Sequence, residues 1–369
     1  MRIERIEILE LALPMTRAFE TSFGRIENKH TVLVKLFDKD GYVGYGEAPA
    51  LQAPMITYET TDTCFYILEK FLAPAVIKKN FHSIEELVGF YDPILGHPIA
   101  KTGLQNAVWH LMAQQNNQSL KTLLKGEKEK IPVGESIGIK PTIEETLEEI
   151  ELRLRQGYRR TKVKIKPGWD VQVISDIRKK FGDIDLMADA NSAYHLGHLN
   201  ILKALDEFHL MMIEQPLAHD DILDHATLQK QIRTPVCLDE SIKSVDDARK
   251  AIDLGACKVI NIKPARLGGL LESKQVHDLC QKRGIGVWCG GMLETGIGRA
   301  FNIALASLPN FQYPADMSPY YFYYSEDLVD PSFDVDKEGY IPVPNSSGLG
   351  YRIADSKIQK YTVKKMIVS

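Results

Sequence analysis

Five charged residues in the second half of the chain recur at a near-constant interval. Lys164, Asp189, Glu214, Asp239 and Lys263 lie 25, 25, 25 and 24 residues apart. Each closes a short apolar run, where a core strand has no use for a charge. Three carboxylates pointing into one space cannot all stay ionised unless a cation joins them. Oxygen-only donors, with no His or Cys in phase, favour a hard ion, Mg2+ first and Mn2+ next. A lysine on either side would be placed for acid–base work, because burial and neighbouring positive charge make a lysine available as a base. The competing reading is that each acid caps the helix that follows it or pairs with a nearby lysine. That accounts for any one of them, but capping imposes no common phase on three.

The run KVKIKPG at 162–168 poses the same problem in miniature. Strand alternation sends Lys162, Lys164 and Lys166 to one face. Either that face meets water, or the crowding serves to make a base, with Lys162, Lys166, Arg266 and an ion supplying the positive charge. A position inside a parallel-strand pattern favours the second reading.

The elements that must position these residues form a rhythm starting near residue 130. Runs rich in β-formers stand at 133–139, 161–167, 185–191, 210–216, 235–241, 258–264 and 286–292, with a less regular eighth at 311–317. Helical patterns such as DVQVISDIRKKF and SVDDARKAIDLG lie between them. Strands alternating with helices imply βα units and a parallel sheet. Seven or eight units in roughly 190 residues suit a closed barrel. An open doubly wound sheet is the alternative, but no GxGxxG follows the first strand. The expected fold is an α/β barrel over residues 126–320. Equal phase then means equal height, at the C-terminal strand ends where barrel enzymes place their chemistry.

Residues 1–125 read as a separate α+β capping domain. A hairpin spans 31–48 around Asp-Lys-Asp-Gly, and a helix covers 103–115. The tail 321–369, aromatic at YYFYY and then extended, is expected to pack back on this domain. The chain has 369 residues, 44% apolar and 25% charged, with net charge −4, enough for two globular domains. That charge leaves no electrostatic footprint for nucleic acid or an anionic membrane. Glu7 and Glu10 interrupt the apolar N-terminal stretch, which argues against a signal peptide or a membrane span. Five cysteines without CxxC spacing read as reduced, buried thiols of a cytoplasmic protein. His195 and His198 have the spacing of a metal pair, but their place after the third strand reads as surface. Neither a nucleic acid nor a membrane is expected as a partner.

As a set, KVK at 162–164, DAN at 189–191, EQP at 214–216, DES at 239–241 and NIKPARLGG at 261–269 resemble the enolase superfamily, and within it the muconate-lactonising subgroup. RAFETSFG at 17–24, the helix at 103–115 and GGMLETGIGRA at 290–300 resemble its capping domain and seventh-strand loop. Where relatives of the mandelate racemase type carry a histidine base, this chain reads VWCGGM; where dipeptide epimerases carry Asp-x-Asp, Asp316 is followed at +2 by Ser318. KIKPGWD, NIKPARLGG and GGMLETGIGRA are similar to the o-succinylbenzoate synthase / N-succinylamino acid racemase family.

The resemblance implies Mg2+ or Mn2+ on Asp189, Glu214 and Asp239, with Lys164 and Lys263 as catalytic residues. It implies a modified TIM barrel of (β/α)7β form, a homo-oligomer, and removal of a proton α to the carboxylate of a small-molecule carboxylate partner through an enediolate. The expected activity is o-succinylbenzoate synthesis in the menaquinone pathway, with N-succinylamino acid racemisation beside it. Racemisation as the main function is the alternative, and dipeptide epimerisation or cycloisomerisation stands behind both. Gly291, Met292 and Leu293 are expected to offer backbone N–H groups to a succinyl carboxylate. Ser136 and Asn191 should share the inward face, Lys162 and Arg266 should adjoin the lysines, and Phe19, Ser22 and Phe23 should belong to a lid from the cap. Two readings from other classes remain: a non-catalytic binding barrel, and a barrel for phosphorylated sugars, which would hold phosphate at the last strand loops.

Overall fold

The computed structural model describes residues 1–21 and 24–369, and the side chains of all these except 17–27. The chain opens with a long antiparallel pair, β1 (Ile3–Thr21) and β2 (Gly24–Asp38), followed by β3 (Val43–Ala48). Ile6, Ile8, Leu11 and Leu13 of β1 are buried, as are Val32, Val34 and Leu36 of β2. The turn into β3 is built by Asp38, whose Oδ1 accepts from the Asp40 and Tyr42 N–H groups, and by Gly41 at φ +89°. The helix Pro98–Gln115 lies directly on β3. It comes so close that a Cβ on Gly46 would stand 2.2 Å from the Gly103 carbonyl oxygen. Glycine is what this contact requires.

Eight parallel strands follow. They are β4 (Lys130–Ile137), β5 (Thr161–Lys164), β6 (Leu186–Asp189), β7 (Ile213–Glu214), β8 (Val236–Leu238), β9 (Val259–Ile262), β10 (Gly286–Cys289) and β11 (Ala315–Asp316). Their order is β10-β9-β8-β7-β6-β5-β4-β11, and a bridge between Val287 and Phe311 draws the two ends together. The result is a nearly closed α/β barrel with the expected parallel topology. Helices between strands begin at side-chain caps that the sequence displays, such as Thr142, Asp170, Ser244 and Thr295. Below the mouth, Met187, Met212, Cys237, Val259 and Trp288 form a buried apolar plug.

Most of the strands are shorter than the β-rich runs. At the mouth the backbone leaves strand geometry within a residue or two of the charged positions. Asn191, Ser192 and Gln215 take φ of +42°, +65° and +38°. The third lysine of KVKIK is a casualty of this. Lys166 lies past the end of β5 in a tight turn bridged to Trp169, and it is exposed.

After the barrel, β12 (Val329–Asp330) pairs with β14 (Arg352–Ile353), and β13 (Tyr340–Pro342) runs antiparallel to the start of β4. The last strand, β15 (Thr362–Val368), adds to β1 with Ile8 opposite Met366. Barrel and cap are also joined by Glu47 of β3. Its carboxylate accepts from the Thr295 hydroxyl at 2.7 Å and from the Thr295 and Gly298 N–H groups at 3.0 Å. All five cysteines are buried and unbonded. Among the described residues no helix is long and apolar enough to cross a membrane.

Candidate active site

The 25-residue interval translates directly into register. Lys164, the last residue of β5, stands opposite Asp189, and Asp189 stands opposite Glu214. Asp239 comes one residue after β8, and Lys263 one residue after β9 as the N-cap of a short helix, Pro264–Leu267. Three strands separate β5 from β9 in an eight-stranded ring, so the two lysines rise from opposite walls. Both line a small cavity of about 90 Å³ at the mouth, together with Lys162, Ser136 and Asn191. Gly291, Met292 and Leu293 form another part of its wall, and Leu51 and Ile56 of the cap cover it.

Every acid of the ring is engaged by a cation of the chain. Lys164 Nζ donates to Asp189 Oδ2 and to Asn191 Oδ1, both at 2.6 Å. Lys263 Nζ donates to Asp239 Oδ2 at 2.8 Å, while Arg266 holds the other oxygen of Asp239. Glu214 accepts from Lys162 at 3.1 Å and from Asn261 Nδ2 at 2.7 Å. Burial alone would raise Asp189, but Lys164 and Lys162 outweigh it and hold this carboxyl well below the usual range. Glu214 goes the other way, pushed up by burial and then by the charge of Asp189.

That opposition bears on a metal ion. Asp189, Glu214 and Asp239 are at most 1% exposed, present oxygen donors only, and include a neighbouring pair in which one charge penalises the other. This is the donor set that a hard divalent ion relieves, and the residues fit one. With each carboxylate turned to a lysine or arginine, no group of three His, Cys, Asp or Glu among the described residues is already gathered as a metal centre.

The other expected site residues divide. Lys162 is a counter-charge: Asp316 lies 2.5 Å away, Glu214 3.1 Å and Asp189 3.4 Å. Burial would lower it, but these three carboxylates prevail and hold its ammonium protonated above the ordinary lysine range. Its charge is therefore balanced rather than left to act on Lys164, and exposed Lys166 adds nothing. Arg266 sits on Asp239, outside the small cavity, and lines a larger one of about 640 Å³ between cap and barrel. Burial pushes its guanidinium down to about 10.

In the loop after β10, a Cβ on Gly290 would stand 2.6 Å from Lys263 Cε, so glycine clears the path of that lysine. Leu293 is held at φ +56° with its carbonyl bonded to the Tyr324 hydroxyl at 2.6 Å. Burial would raise the Glu294 carboxyl, but Arg299 and the Met292 N–H hold it below the usual range. Phe19 lies on β1 with its side chain outside the described residues, and Ser22 and Phe23 lie outside them altogether. His195 and His198 cap a short helical turn with their own ring nitrogens.

Several residues that build the site were given no role in it from the sequence. Gln215 stitches two strand ends: its Oε1 accepts from the Asp239 N–H at 3.0 Å and the Ser241 N–H at 3.2 Å, and its Nε2 donates to Ser241 Oγ at 2.7 Å. Asp316 on β11 is shared by Lys162 and Arg160. Glu240, beside Asp239, also faces the cavity. Its parity argues for the opposite face, but β8 has ended at Leu238, so alternation no longer holds. A glutamine directly after a mouth acid was the available signal for Gln215.

A barrel with acids and lysines of this arrangement at its C-terminal mouth, covered by an α+β cap, defines a class of carboxylate-processing enzymes. Residues 5–125 match the mandelate racemase / muconate lactonizing enzyme N-terminal domain, and residues 145–357 match the enolase C-terminal domain-like family. The chain belongs to the enolase superfamily, in its mandelate racemase / muconate lactonizing branch. An o-succinylbenzoate synthase of Geobacillus kaustophilus is 49% identical over 98% of this chain and 96% of its own length. An N-succinylamino acid racemase of Thermus thermophilus is 44% identical over 100% of both chains. The crystal structure of an enolase-superfamily member from Listeria innocua superposes with a TM-score of 0.96 at 38% identity, covering 100% of this chain and 99% of the other.

Proposed function

We propose that the protein is an o-succinylbenzoate synthase that also racemises N-succinylamino acids, using Mg2+ or Mn2+ as a cytoplasmic homo-oligomer. In this reading residues 126–320 are the catalytic barrel, and residues 1–125 with the tail 321–369 are the cap. The observation that carries it is the small buried cavity faced by Lys164 and Lys263 from opposite walls. The synthase and racemase names of the relatives support the substrate assignment.

A divalent ion held by Asp189, Glu214 and Asp239 would supply the positive charge that stabilises a substrate carboxylate as its α-carbon loses a proton. Lys164 removes that proton at Nζ, with Asn191 Oδ1 fixing the amine at 2.6 Å. In dehydration Lys164 returns the proton to the hydroxyl on the adjacent ring carbon. The C–O bond breaks, water leaves, and the cyclohexadiene becomes a benzene ring. Lys263 remains protonated on the far side. In racemisation Lys263 instead gives a proton to the opposite face of the α-carbon, and Lys164 keeps the one it took. Leu51 and Ile56 keep water from the reacting carbon, and the Gly291–Leu293 loop faces the succinyl end.

A second reading, racemisation as the sole function, uses the same two-lysine geometry, which dehydration does not require. Assay of the purified protein with Mg2+ on both substrates decides between them. We expect both reactions; turnover of N-succinylamino acids without dehydration would promote the racemase, and turnover of neither would reject the proposal.

A further inference from the structure

Glu240 is 3% exposed and forms part of the cavity wall. Its Oε1 accepts from Asn191 Nδ2 at 3.0 Å, and Asn191 Oδ1 in turn accepts from Lys164 Nζ at 2.6 Å. Its second oxygen, Oε2, has no hydrogen-bond partner among the described residues. A buried carboxylate oxygen without a donor carries a desolvation cost that a native site offsets with a ligand or solvent donor. Asp189, Glu214 and Asp239 each meet a cation of the chain, whereas Glu240, on the wall of the same cavity, keeps a buried Oε2 without a partner among the described residues.

Resting on the function proposed above, we infer that Glu240 is a substrate-contacting specificity residue. Its Oε2 accepts a hydrogen bond from the one donor that both substrates carry next to the reacting carbon. On an N-succinylamino acid that donor is the amide N–H, attached to the α-carbon. On the hydroxylated cyclohexadiene carboxylate it is the hydroxyl on the adjacent ring carbon. Two substrates of different skeleton thus meet the same acceptor, and its other oxygen fixes the asparagine that holds Lys164. The contact forms no covalent bond and moves no proton.

The test compares two isosteres on the Mg2+-loaded enzyme, N-succinyl-phenylalanine and its ester counterpart O-succinyl-phenyllactate, which lacks the N–H. α-Proton exchange in D2O is followed by NMR for wild type and Glu240→Gln. A hydrogen bond to a charged acceptor is worth roughly 10–100-fold in binding, so wild type should show a KM lower for the amide by about that factor. Glutamine can still accept from Asn191 through its own oxygen but presents an amide donor in place of Oε2. Glu240→Gln should therefore lose the amide preference while still exchanging the ester. An undiminished preference in Glu240→Gln, with both substrates slowed alike, would show a purely structural role and overturn the inference. Equal KM values for amide and ester in wild type alone would overturn it too, even if the variant fails to fold. Exchange of neither by wild type would instead reject the functional reading, and the inference with it.

Discussion

Lys162→Met tests whether the deeper lysine of KVKIK is a counter-charge. Its side chain is 4% exposed and balances Asp316 at 2.5 Å, Glu214 at 3.1 Å and Asp189 at 3.4 Å. Taking one partner out of a buried ionic cluster costs roughly 3–5 kcal/mol, because the charges left behind stay desolvated. Partial cover remains: Arg160 on Asp316, Asn261 on Glu214 and Lys164 on Asp189. The lower end, about 3 kcal/mol, is therefore expected. Urea unfolding in chelator measures it, and saturating Mg2+ should shrink the loss, since an ion beside Asp189 and Glu214 replaces the missing charge. Adding Asp316→Asn should restore part of the stability, with a coupling of at least about 1 kcal/mol. A single variant within about 0.5 kcal/mol of wild type in chelator, or a loss that disappears in molar salt as a screened surface pair would, would refute the reasoning.

Asp189→Asn, Glu214→Gln and Asp239→Asn should each weaken Mg2+ affinity, read by calorimetry, and stop turnover; full activity in chelator would exclude the ion. Lys164→Ala and Lys263→Ala should each cut racemisation by roughly 10²–10⁴-fold, and each should still exchange the α-proton of one enantiomer only, the opposite one in each case. Exchange of both enantiomers by either variant would break the two-base scheme. Arg266→Gln leaves Asp239 to Lys263 alone, so racemisation, which needs Lys263 to give up a proton, should fall further than dehydration; equal losses would reject a tuning role for Arg266. Lys29 is fully buried with its ammonium on the Pro49 and Ala50 carbonyls, and burial lowers its pKa to about 8. The folded value lies below the unfolded one, so the unfolded chain binds more protons between pH 8 and 10.5, and this group's stabilising effect is lost as pH falls through that window. Wild type minus Lys29→Met, followed by denaturation across the window, should therefore rise with pH; a flat difference would show that Lys29 is not desolvated.

How far the sequence carried depends on whether the information was periodic or long-range. The parallel barrel and the levels of Lys164, Asp189 and Glu214 follow from one repeat length, because a βα unit of constant size returns the chain to the same height. The cap hairpin follows from a four-residue turn signal, and its Asp38 and Gly41 do what such residues do. Partner choice was not readable. Nothing local says that Lys162 meets Asp316, 154 residues later on the last barrel strand, or that Arg266 folds back on Asp239. Alternation misled at the mouth, where Glu240 and Lys166 lie just beyond strands that end sooner than their β-rich runs. Rules of parity hold only while the ladder does.

Lys162 and Lys164 show how one strand face yields two jobs. They are two residues apart on β5 and both point inward. Lys162 is the deeper, with its ammonium 4.8 Å from the ring of Trp288 in the apolar plug. At that depth water cannot share the charge, and the fold answers with three carboxylates, which keep the lysine protonated and unsuited to act as a base. One layer higher, Lys164 faces a single carboxylate and an amide oxygen, at the edge of a space large enough for a reacting carbon. The crowding of KVKIK is therefore not a device by which neighbouring ammoniums make a base of Lys164. Asp316, Glu214 and Asp189 absorb the charge of Lys162 before it reaches the mouth. What separates a structural lysine from a candidate base on this strand is the number of carboxylates each layer of the barrel assigns to it.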